Sequence, residues 1–339
     1  MPISLPEPSR DESASNKPLT QLLEPLPVSE VFCPAGISSF FEVCRTDGAG
    51  NELTDPTRIG ARGGGFVIAR GVTSQVTVRK RHRTRIEIRI NSRPAPNART
   101  TRSAIEQIVN SSGQPLEVMV RNQVEVPIAA GFGTSAAGTL AACLALTDAG
   151  DLPMTLNEVG MAAHVAEVLN GTGLGTVSAL LYGGFVLVRQ PGGPGIGLID
   201  RLRFPTDHSI VCAYLGPIQT RDVLAAKADR TIESIPRRET LEAISKTPTL
   251  PVFLAESRRF GKQAGFETSR ITRLISTLMS AGALGAAQNM IGEAVHAVVH
   301  NSKTTRTLKV VKAAFPESKV FATDIEGQGV RFLNDKAKH

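Results

Sequence analysis

The most informative stretch of this sequence is Ala129-Ala130-Gly131-Phe132-Gly133-Thr134-Ser135-Ala136-Ala137-Gly138. Before it, residues 116–126 (LEVMVRNQVEV) have the composition of a strand, and after it residues 139–146 form an alanine-rich apolar run. We therefore predict a strand, a glycine loop and a helix, in this order.

Backbone N–H groups in such a loop, together with the positive end of the following helix, form a site for phosphate. Gly131 and Gly133 allow close approach of the backbone, and the hydroxyls of Thr134 and Ser135 could bind phosphate oxygens or magnesium. The alternative is an ordinary strand-to-helix turn in which Ser135 caps the helix, and the motif alone does not separate the two.

Two standard nucleotide-binding motifs fit poorly. The chain contains no G-x-x-x-x-G-K-[ST] motif, which excludes a P-loop of the usual form. Residues 131–136 satisfy the G-x-G-x-x-A dinucleotide pattern, but no acidic residue ends a second strand about 20 residues later. The sequence therefore gives little support to a dinucleotide-binding fold.

A second helix and glycine loop follow the first. Thr155 and Glu158 form a capping box, and Gly171 ends the predicted helix. Glu167 lies in its last turn, where a negative charge opposes the helix dipole. Placed just before the loop at residues 171–175, this carboxylate could hold magnesium beside a phosphate; the alternative is an exposed side chain without a function.

The length of 339 residues predicts about two domains. We expect a flexible tail at residues 1–29, rich in Pro, Ser and Glu, a first domain at 30–205 and a second at 206–339. Further strands are predicted at 67–78, 85–90, 185–189, 210–215 and 319–323, and further helices at 101–110, 221–234, 250–265, 269–280, 284–300 and 305–314. His296 and His300, four residues apart on one predicted helix, have a spacing that can bind a metal, but the helix is otherwise apolar and lacks the usual H-E-x-x-H base, so we do not favour a metal site.

Composition excludes several classes of protein. With 41% hydrophobic residues the chain can form globular cores, and it contains no apolar run long enough to span a membrane. The N-terminus lacks a signal-peptide pattern, so we expect a cytoplasmic protein. Its four cysteines form no C-x-x-C pair, which argues against a zinc site or a disulfide framework.

The net charge of +7 is concentrated at residues 79–102, which carry nine basic residues and one acid. Such a patch could attract nucleic acid or anionic metabolites. However, residues 85–90 alternate charged and apolar side chains like a half-exposed strand, and no aromatic residues are interleaved to stack on bases. We favour a charged edge strand and do not expect a nucleic acid partner.

Several motifs together resemble the GHMP kinases, the superfamily of galactokinase, homoserine kinase and mevalonate kinase. Residues 132–137 (FGTSAA) after Pro127 are similar to the P-x-x-x-G-L-G-S-S-A-A phosphate loop of that superfamily. The archaeal pantoate kinase branch is indicated by FCPAGISSFF at 32–41, GARGGG at 60–65 and HVAE at 164–167 followed by GTGLG at 171–175. The resemblance runs from about Val31 to about Phe332.

The resemblance implies a two-domain α/β (α+β) architecture, with an N-terminal domain like the second domain of ribosomal protein S5 and a ferredoxin-like C-terminal domain. It implies ATP and Mg²⁺ as cofactors, with Ser135 and Glu167 serving the metal and the phosphates. Ser38 and Arg189 would lie near the carboxylate and hydroxyls of pantoate. The ATP-binding residues implied are Pro127, Gly131, Phe132, Gly133, Thr134, Ser135 and Ala136.

One position departs from the family pattern. After the second loop the family has G-L-G-D, whereas here Gly175 is followed by Thr176. The resemblance makes Thr176 a catalytic position, at which the expected Asp would orient the attacking hydroxyl or accept its proton. A threonine can position a hydroxyl but cannot take its proton at neutral pH.

The resemblance thus implies an ATP-dependent small-molecule kinase, with pantoate as acceptor, that acts in coenzyme A biosynthesis. The alternatives are a GHMP kinase for homoserine or mevalonate, a catalytically weakened fold that works as a binding protein, and a nucleic-acid binder that uses residues 79–102. The oligomeric state stays open, with a homodimer among the options.

Overall fold

The computed structural model describes residues 27–216, 237–290 and 292–333. The first part contains β1 (Val28–Cys44), β2 (Gly60–Lys80), β3 (Arg85–Ile90), β4 (Arg93–Pro94), α1 (Arg99–Ser112), β5 (Leu116–Val124), α2 (Thr134–Ala149), α3 (Leu156–Asn170), α4 (Thr176–Tyr182), β6 (Phe185–Gln190) and β7 (Leu198–Leu202). The second part contains β8 (His208–Gly216), α5 (Arg237–Lys246), α6 (Leu250–Gln263), α7 (Ser269–Ser280), β9 (Gly285–Gln288), β10 (Glu293–His300), α8 (Thr304–Ala314), β11 (Lys319–Thr323) and β12 (Arg331–Phe332).

The first sheet has the strand order β12-β1-β2-β5-β3-β4, and β6 and β7 extend it from β2. The long strand β2 has two neighbours on one side: residues 63–66 pair with β6 and residues 72–80 with β5. All these pairs are antiparallel except β3 with β5. Helix α2 packs on this sheet and is buried on nearly all sides, which explains its alanine-rich sequence.

The second sheet is antiparallel, with the order β11-β8-β10-β9. Side chains of α7 and α8, including Leu274, Leu278 and Val311, form a core against one face of it. The elements follow each other as β-α-β-β-α-β, with extra helices in the first crossover, which is the predicted ferredoxin-like arrangement.

Phenylalanine side chains fill the space between the two sheets. Phe66 and Phe185 stack with ring centroids 4.7 Å apart, and Phe253 of α6 meets Phe185 edge-on at 4.6 Å. Burial of each such side chain contributes about 1.5–3 kcal/mol, so this apolar contact joins the two parts of the chain. The predicted mixed α/β fold is confirmed.

The predicted helix at 284–300 is wrong, because these residues form β9, a turn and β10. The apolar run is buried on both faces as a strand, and periodicity does not separate such a run from a buried helix. His296 and His300 therefore lie about 13 Å apart along one strand and cannot share a metal ion. Over the described ranges, no group of three or more His, Cys, Asp or Glu residues could hold a metal.

The remaining predicted elements agree with the structure, except that the helix at 221–234 falls outside the described residues. Strand β1 begins at Val28, two residues inside the predicted tail, and residues 1–26 are also outside the described ranges. The predicted boundary near residue 205 falls between β7 and β8, but β12 rejoins the first sheet. Within the described segments, no helix is both long and apolar enough to cross a membrane.

His296 connects the two sheets from a fully buried position. Its Nε2 lies 2.9 Å from Ser39 Oγ on β1, and its Nδ1 lies 2.9 Å from Asn289 Oδ1 in the turn after β9. The amide oxygen of Asn289 can only accept, so Nδ1 carries the proton and Nε2 accepts from the serine. Burial lowers the pKa of His296 to about 3, which keeps the ring neutral.

We expect His296 to make folding sensitive to mild acid. In the unfolded chain its pKa is near 6.5, so between pH 6.5 and about 3 the unfolded state binds the extra proton and the free energy of unfolding falls. From pH 7.5 to 5.5 this loss is about 1.4 kcal/mol. Urea unfolding of the wild type and of His296→Gln at both pH values checks it; an equal loss in both proteins would contradict the prediction.

Candidate functional site

A pocket opens where β1, β2 and the two glycine loops meet. Its walls are residues 36–38 of β1, residues 61–67 of β2, Gly131 and Gly133 of the first loop, and residues 172–176 of the second. Met290, from the turn between β9 and β10, closes one side, and its N–H donates to Ser38 O at 2.9 Å. Both parts of the chain thus contribute to this pocket.

The first glycine loop presents the start of α2 to the pocket. Gly133 is the residue before the helix, has φ +60°, and makes no side-chain cap for the first N–H groups. A Cβ at Gly133 would lie 2.7 Å from Thr176 Cγ2, so only glycine permits this approach. Uncapped N–H groups and the positive helix end make this an anion-binding geometry.

The side chain of Ser135 does not cap α2. Its Oγ donates to Glu167 Oε1 at 2.5 Å, and Thr172 Oγ1 donates to the same oxygen at 2.7 Å. Thr172 Oγ1 in turn lies 2.9 Å from Thr100 Oγ1 of α1. The first and second glycine loops are therefore linked through one carboxylate.

Glu167 is buried, with 3% of its surface exposed, so it is not the exposed side chain of the alternative interpretation. Burial raises the pKa of this carboxyl, while the hydrogen bonds from Ser135 and Thr172 act in the opposite direction. A Cβ at Gly173 would lie only 2.0 Å from Glu167 Oε2, so the carboxylate packs directly on the backbone of the second loop. A buried carboxylate at the start of a helix is suited to binding a cation beside an anion.

The other predicted ATP-binding residues lie around this helix start. Thr134, Ser135 and Ala136 form the first turn of α2, behind the two pocket-lining glycines. Phe132 is buried, and its carbonyl accepts a 3.1 Å hydrogen bond from the N–H of Gly36. Pro127 precedes the loop and is not among the pocket-lining residues.

Thr176 is the first residue of α4 and lines the pocket. Its methyl group fills the space between the backbones of Gly36 and Gly133, where added Cβ atoms would lie 3.3 and 2.7 Å from it. The position at which the family pattern has an Asp is thus within the pocket and touches the first glycine loop.

The two predicted substrate residues have different surroundings. Ser38 lines the pocket. Arg189 does not, because side chains alternate along β6: Val186 and Val188 line the pocket, while the Arg189 guanidinium bonds to Asp200 Oδ2 of β7 at 3.0 Å. The structure therefore brings Ser38 to the pocket and leaves Arg189 outside it.

Sequence reasoning missed Arg62, which lines the pocket from β2. Its Nη2 donates to Glu42 Oε1 of β1 at 3.1 Å. The GARGGG motif contains this arginine as its single charged residue, but the motif alone does not show to which side of the sheet the side chain points.

Comparisons with known proteins agree with this geometry. The family model for the GHMP kinases N terminal domain matches residues 99–184, which include α2, α3 and both glycine loops. Pantoate kinase of Thermococcus kodakarensis is 28% identical over 286 residues, or 83% of this chain and 90% of that protein. Pantoate kinase of Methanospirillum hungatei is also 28% identical over 286 residues, or 80% of this chain and 88% of that protein.

A solved structure described as a phosphotransferase related to the CoA biosynthesis pathway has a TM-score of 0.78 at 25% identity, and the match covers 90% of this chain and 98% of that one. Homoserine kinase from Cytophaga hutchinsonii shares the fold, with a TM-score of 0.65 at 18% identity over 91% of this chain and 98% of that one. The uncapped start of α2, the family model and the similarity over most of the chain agree with one another. Residues 99–184 match the GHMP kinases N terminal domain, and the chain is similar to pantoate kinases over most of its length.

Proposed function

We propose that the protein is an ATP-dependent kinase that transfers a phosphoryl group to a hydroxyl of pantoate, a step in coenzyme A biosynthesis. The observation that carries the proposal is the buried Glu167 carboxylate, bonded to Ser135 at the uncapped start of α2. Similarity to pantoate kinases over more than three quarters of the chain supports this acceptor.

The phosphates of ATP would lie against the first glycine loop. At Gly131 and Gly133 the backbone has no Cβ facing the pocket, and the N–H groups of the first turn of α2 are free of a side-chain cap. These groups would donate to phosphate oxygens without competition from the protein itself. Thr134, Ser135 and Ala136 would complete this cradle.

Glu167 and Ser135 are the residues that would hold Mg²⁺. Carboxylate and hydroxyl oxygens are ligands that this ion accepts, and a buried carboxylate whose pKa is raised gains from a nearby cation. Part of the charge on the phosphates would be neutralised by Mg²⁺ when it is bound. Thr172 would keep its hydrogen bond to Glu167 and so fix the direction of the carboxylate.

In the transfer, a pantoate hydroxyl oxygen forms a bond to the γ-phosphorus of ATP and the bond from that phosphorus to the β-bridging oxygen breaks. ADP leaves with the bonding electrons, and the hydroxyl proton passes to water or to a phosphate oxygen. Phosphoryl transfer depends mainly on positioning and charge stabilisation, so a strong base is not essential. Thr176 would contribute a hydrogen bond to the acceptor hydroxyl.

Other expectations from the sequence stay predictions. These are the cytoplasmic location, the homodimer option, the absence of a nucleic acid partner and the exact domain limits. Residues 79–102 do form a charged, partly exposed region at β3, in which Arg81 pairs with Glu117 at 3.0 Å.

The function is tested by measuring ADP release from Mg-ATP with pantoate, homoserine, mevalonate, shikimate or no acceptor. We expect turnover with pantoate alone, because the relatives similar over most of the chain are pantoate kinases. Turnover with homoserine or mevalonate would instead identify a GHMP kinase with that acceptor specificity. Folded protein that is inactive with every acceptor would refute the proposal.

Glu167→Gln is expected to lower turnover with pantoate at least about 100-fold, since it removes one charge-stabilising group worth about 3 kcal/mol. The amide keeps the size of the side chain and can still accept from Ser135. Glu106→Gln on α1, an exposed position outside the pocket, is the matched control. Near-normal turnover of the Glu167 variant would remove this residue from the site.

Thr176→Asp is expected to change turnover by less than about 10-fold, because positioning dominates this reaction. Thr176→Ser, which keeps the hydroxyl, is the control. A large gain in the Asp variant from near-zero wild-type activity would instead identify a kinase fold that has lost catalysis.

A further inference from the structure

One side of the pocket is closed by two backbone segments from different parts of the chain. Ser38 of β1 and Met290 of the turn after β9 both line the pocket, and the N–H of Met290 donates to Ser38 O at 2.9 Å. Their chain neighbours Ser39 and Asn289 are fully buried and are not among the pocket-lining residues. A group that holds Ser39 and Asn289 in place therefore also fixes this wall of the pocket.

Strand β1 is irregular at this point. Ser38 and Phe40 pair with successive glycines of β2, so the register shifts at Ser39, which has no partner in the ladder of these two strands. The sheet therefore constrains this residue less than its neighbours. The side chain supplies the missing constraint, because Ser39 Oγ lies 2.9 Å from His296 Nε2.

The turn after β9 rests on the first glycine loop. A Cβ added at Gly131 would lie 2.9 Å from Asn289 Cβ, so the two backbones are in close contact. The N–H of Asn289 donates to Ala294 O at 2.9 Å and closes the turn, while its side-chain Oδ1 lies 2.9 Å from His296 Nδ1. The loop proposed to receive the phosphates thus contacts a turn that is attached to His296.

His296 has a rigid base for both contacts. It lies on β10, an interior strand of the second sheet, and pairs with Cys212 of β8 and Ala287 of β9. Its ring points toward the first sheet, where its centroid lies 5.4 Å from that of the Phe66 ring. Because the ring is fully buried and packed, the separation between its two hydrogen-bond partners is fixed as well.

The two contacts require opposite roles of the two ring nitrogens. Nδ1 donates to the amide oxygen of Asn289, and Nε2 accepts from the hydroxyl of Ser39. A neutral imidazole supplies both roles in one planar group, and burial keeps this ring neutral. An apolar ring of similar size would fill the same space but would connect neither segment.

We propose that His296 is a positioning residue of the phosphoryl transfer, because its ring sets the distance between the β1 side of the pocket and the first glycine loop. This inference rests on the proposed kinase function. It assigns the alignment of acceptor and phosphate to a residue that touches neither. Such alignment matters, since a misplacement of about 1 Å can cost about 100-fold in rate.

The test compares three variants of the full chain with the wild type. His296→Phe keeps an aromatic ring and removes both hydrogen bonds, whereas the amide of His296→Gln again offers one acceptor and a donor. Val295→Ala is the control for a loosened β10, because this side chain packs on the other face of the sheet, against α7 and α8. Circular dichroism first shows which proteins are folded at the assay temperature, and ADP release then gives kcat and both KM values.

We expect kcat of His296→Phe to fall about 10- to 100-fold. The KM values for ATP and for pantoate should stay within about 3-fold, since no group that contacts either molecule is removed. We expect kcat of His296→Gln and of Val295→Ala to stay within about 3-fold of the wild type, because one keeps the hydrogen-bonding groups and the other leaves them untouched.

Ser39→Ala provides a second, milder test that remains decisive if His296→Phe does not fold. It should lower kcat about 5-fold, the equivalent of one hydrogen bond. In the folded double variant Ser39→Ala/His296→Phe, kcat should fall no further than in His296→Phe, because the partner of the hydroxyl is already missing.

Several results would overturn the proposal: wild-type kcat in folded His296→Phe or in Ser39→Ala, equal losses in the Phe and Gln variants, an equal loss in Val295→Ala, or a loss confined to KM. Additive effects in the double variant would also contradict it. Wild-type protein inactive with pantoate would refute the proposed function together with this inference. Active wild type with unaffected variants would refute this inference alone, so the two failures are distinguishable.

Discussion

The site depends on close contact between backbone segments at positions that carry no Cβ. A side chain at Gly173 would collide with the Glu167 carboxylate, and one at Gly133 would collide with Thr176. These approaches bring a buried carboxylate next to the start of α2. Burying a charge is costly, and here hydrogen bonds from Ser135 and Thr172 offset part of that cost. The two glycine loops have a defined geometry, because the buried Glu167 carboxylate keeps its hydrogen bonds only when Ser135 and Thr172 stay in place.

The second sheet contributes to the pocket chiefly through backbone. The turn after β9 rests against the first glycine loop, since a Cβ at Gly131 would lie 2.9 Å from Asn289 Cβ, and Met290 bonds to Ser38. Ser39, at a bulge in β1, contacts His296 instead. Strand β1, the first glycine loop and the second sheet are thus fixed to one another around the phenylalanine core, and a shift between the sheets would change the shape of the pocket.

Local patterns in the sequence predicted the parts of the fold that are set locally. The capping box at Thr155 is present, with Glu158 bonded to the Thr155 backbone at 2.7 Å, and the glycine loops lie where their spacing predicted. The interval 284–300 is wrongly predicted as a helix, because a strand buried on both faces has no period that separates it from a buried helix. The directions of Arg62 and Arg189, and the burial of Glu167, depend on strand register and on packing between distant segments. Side-chain direction and burial at these positions therefore cannot be read from the neighbouring residues in the sequence.

The return of the chain to its first sheet affects the order in which the protein can fold. Residue Ile325 bridges to Ile68 in the centre of β2, and β12 pairs with β1 at Val31 and Phe32. The first sheet is therefore built from both early and late parts of the polypeptide. During translation, the segment that carries the first glycine loop emerges long before residues 324–332, so the sheet beside it has an open edge until the second sheet has been synthesised.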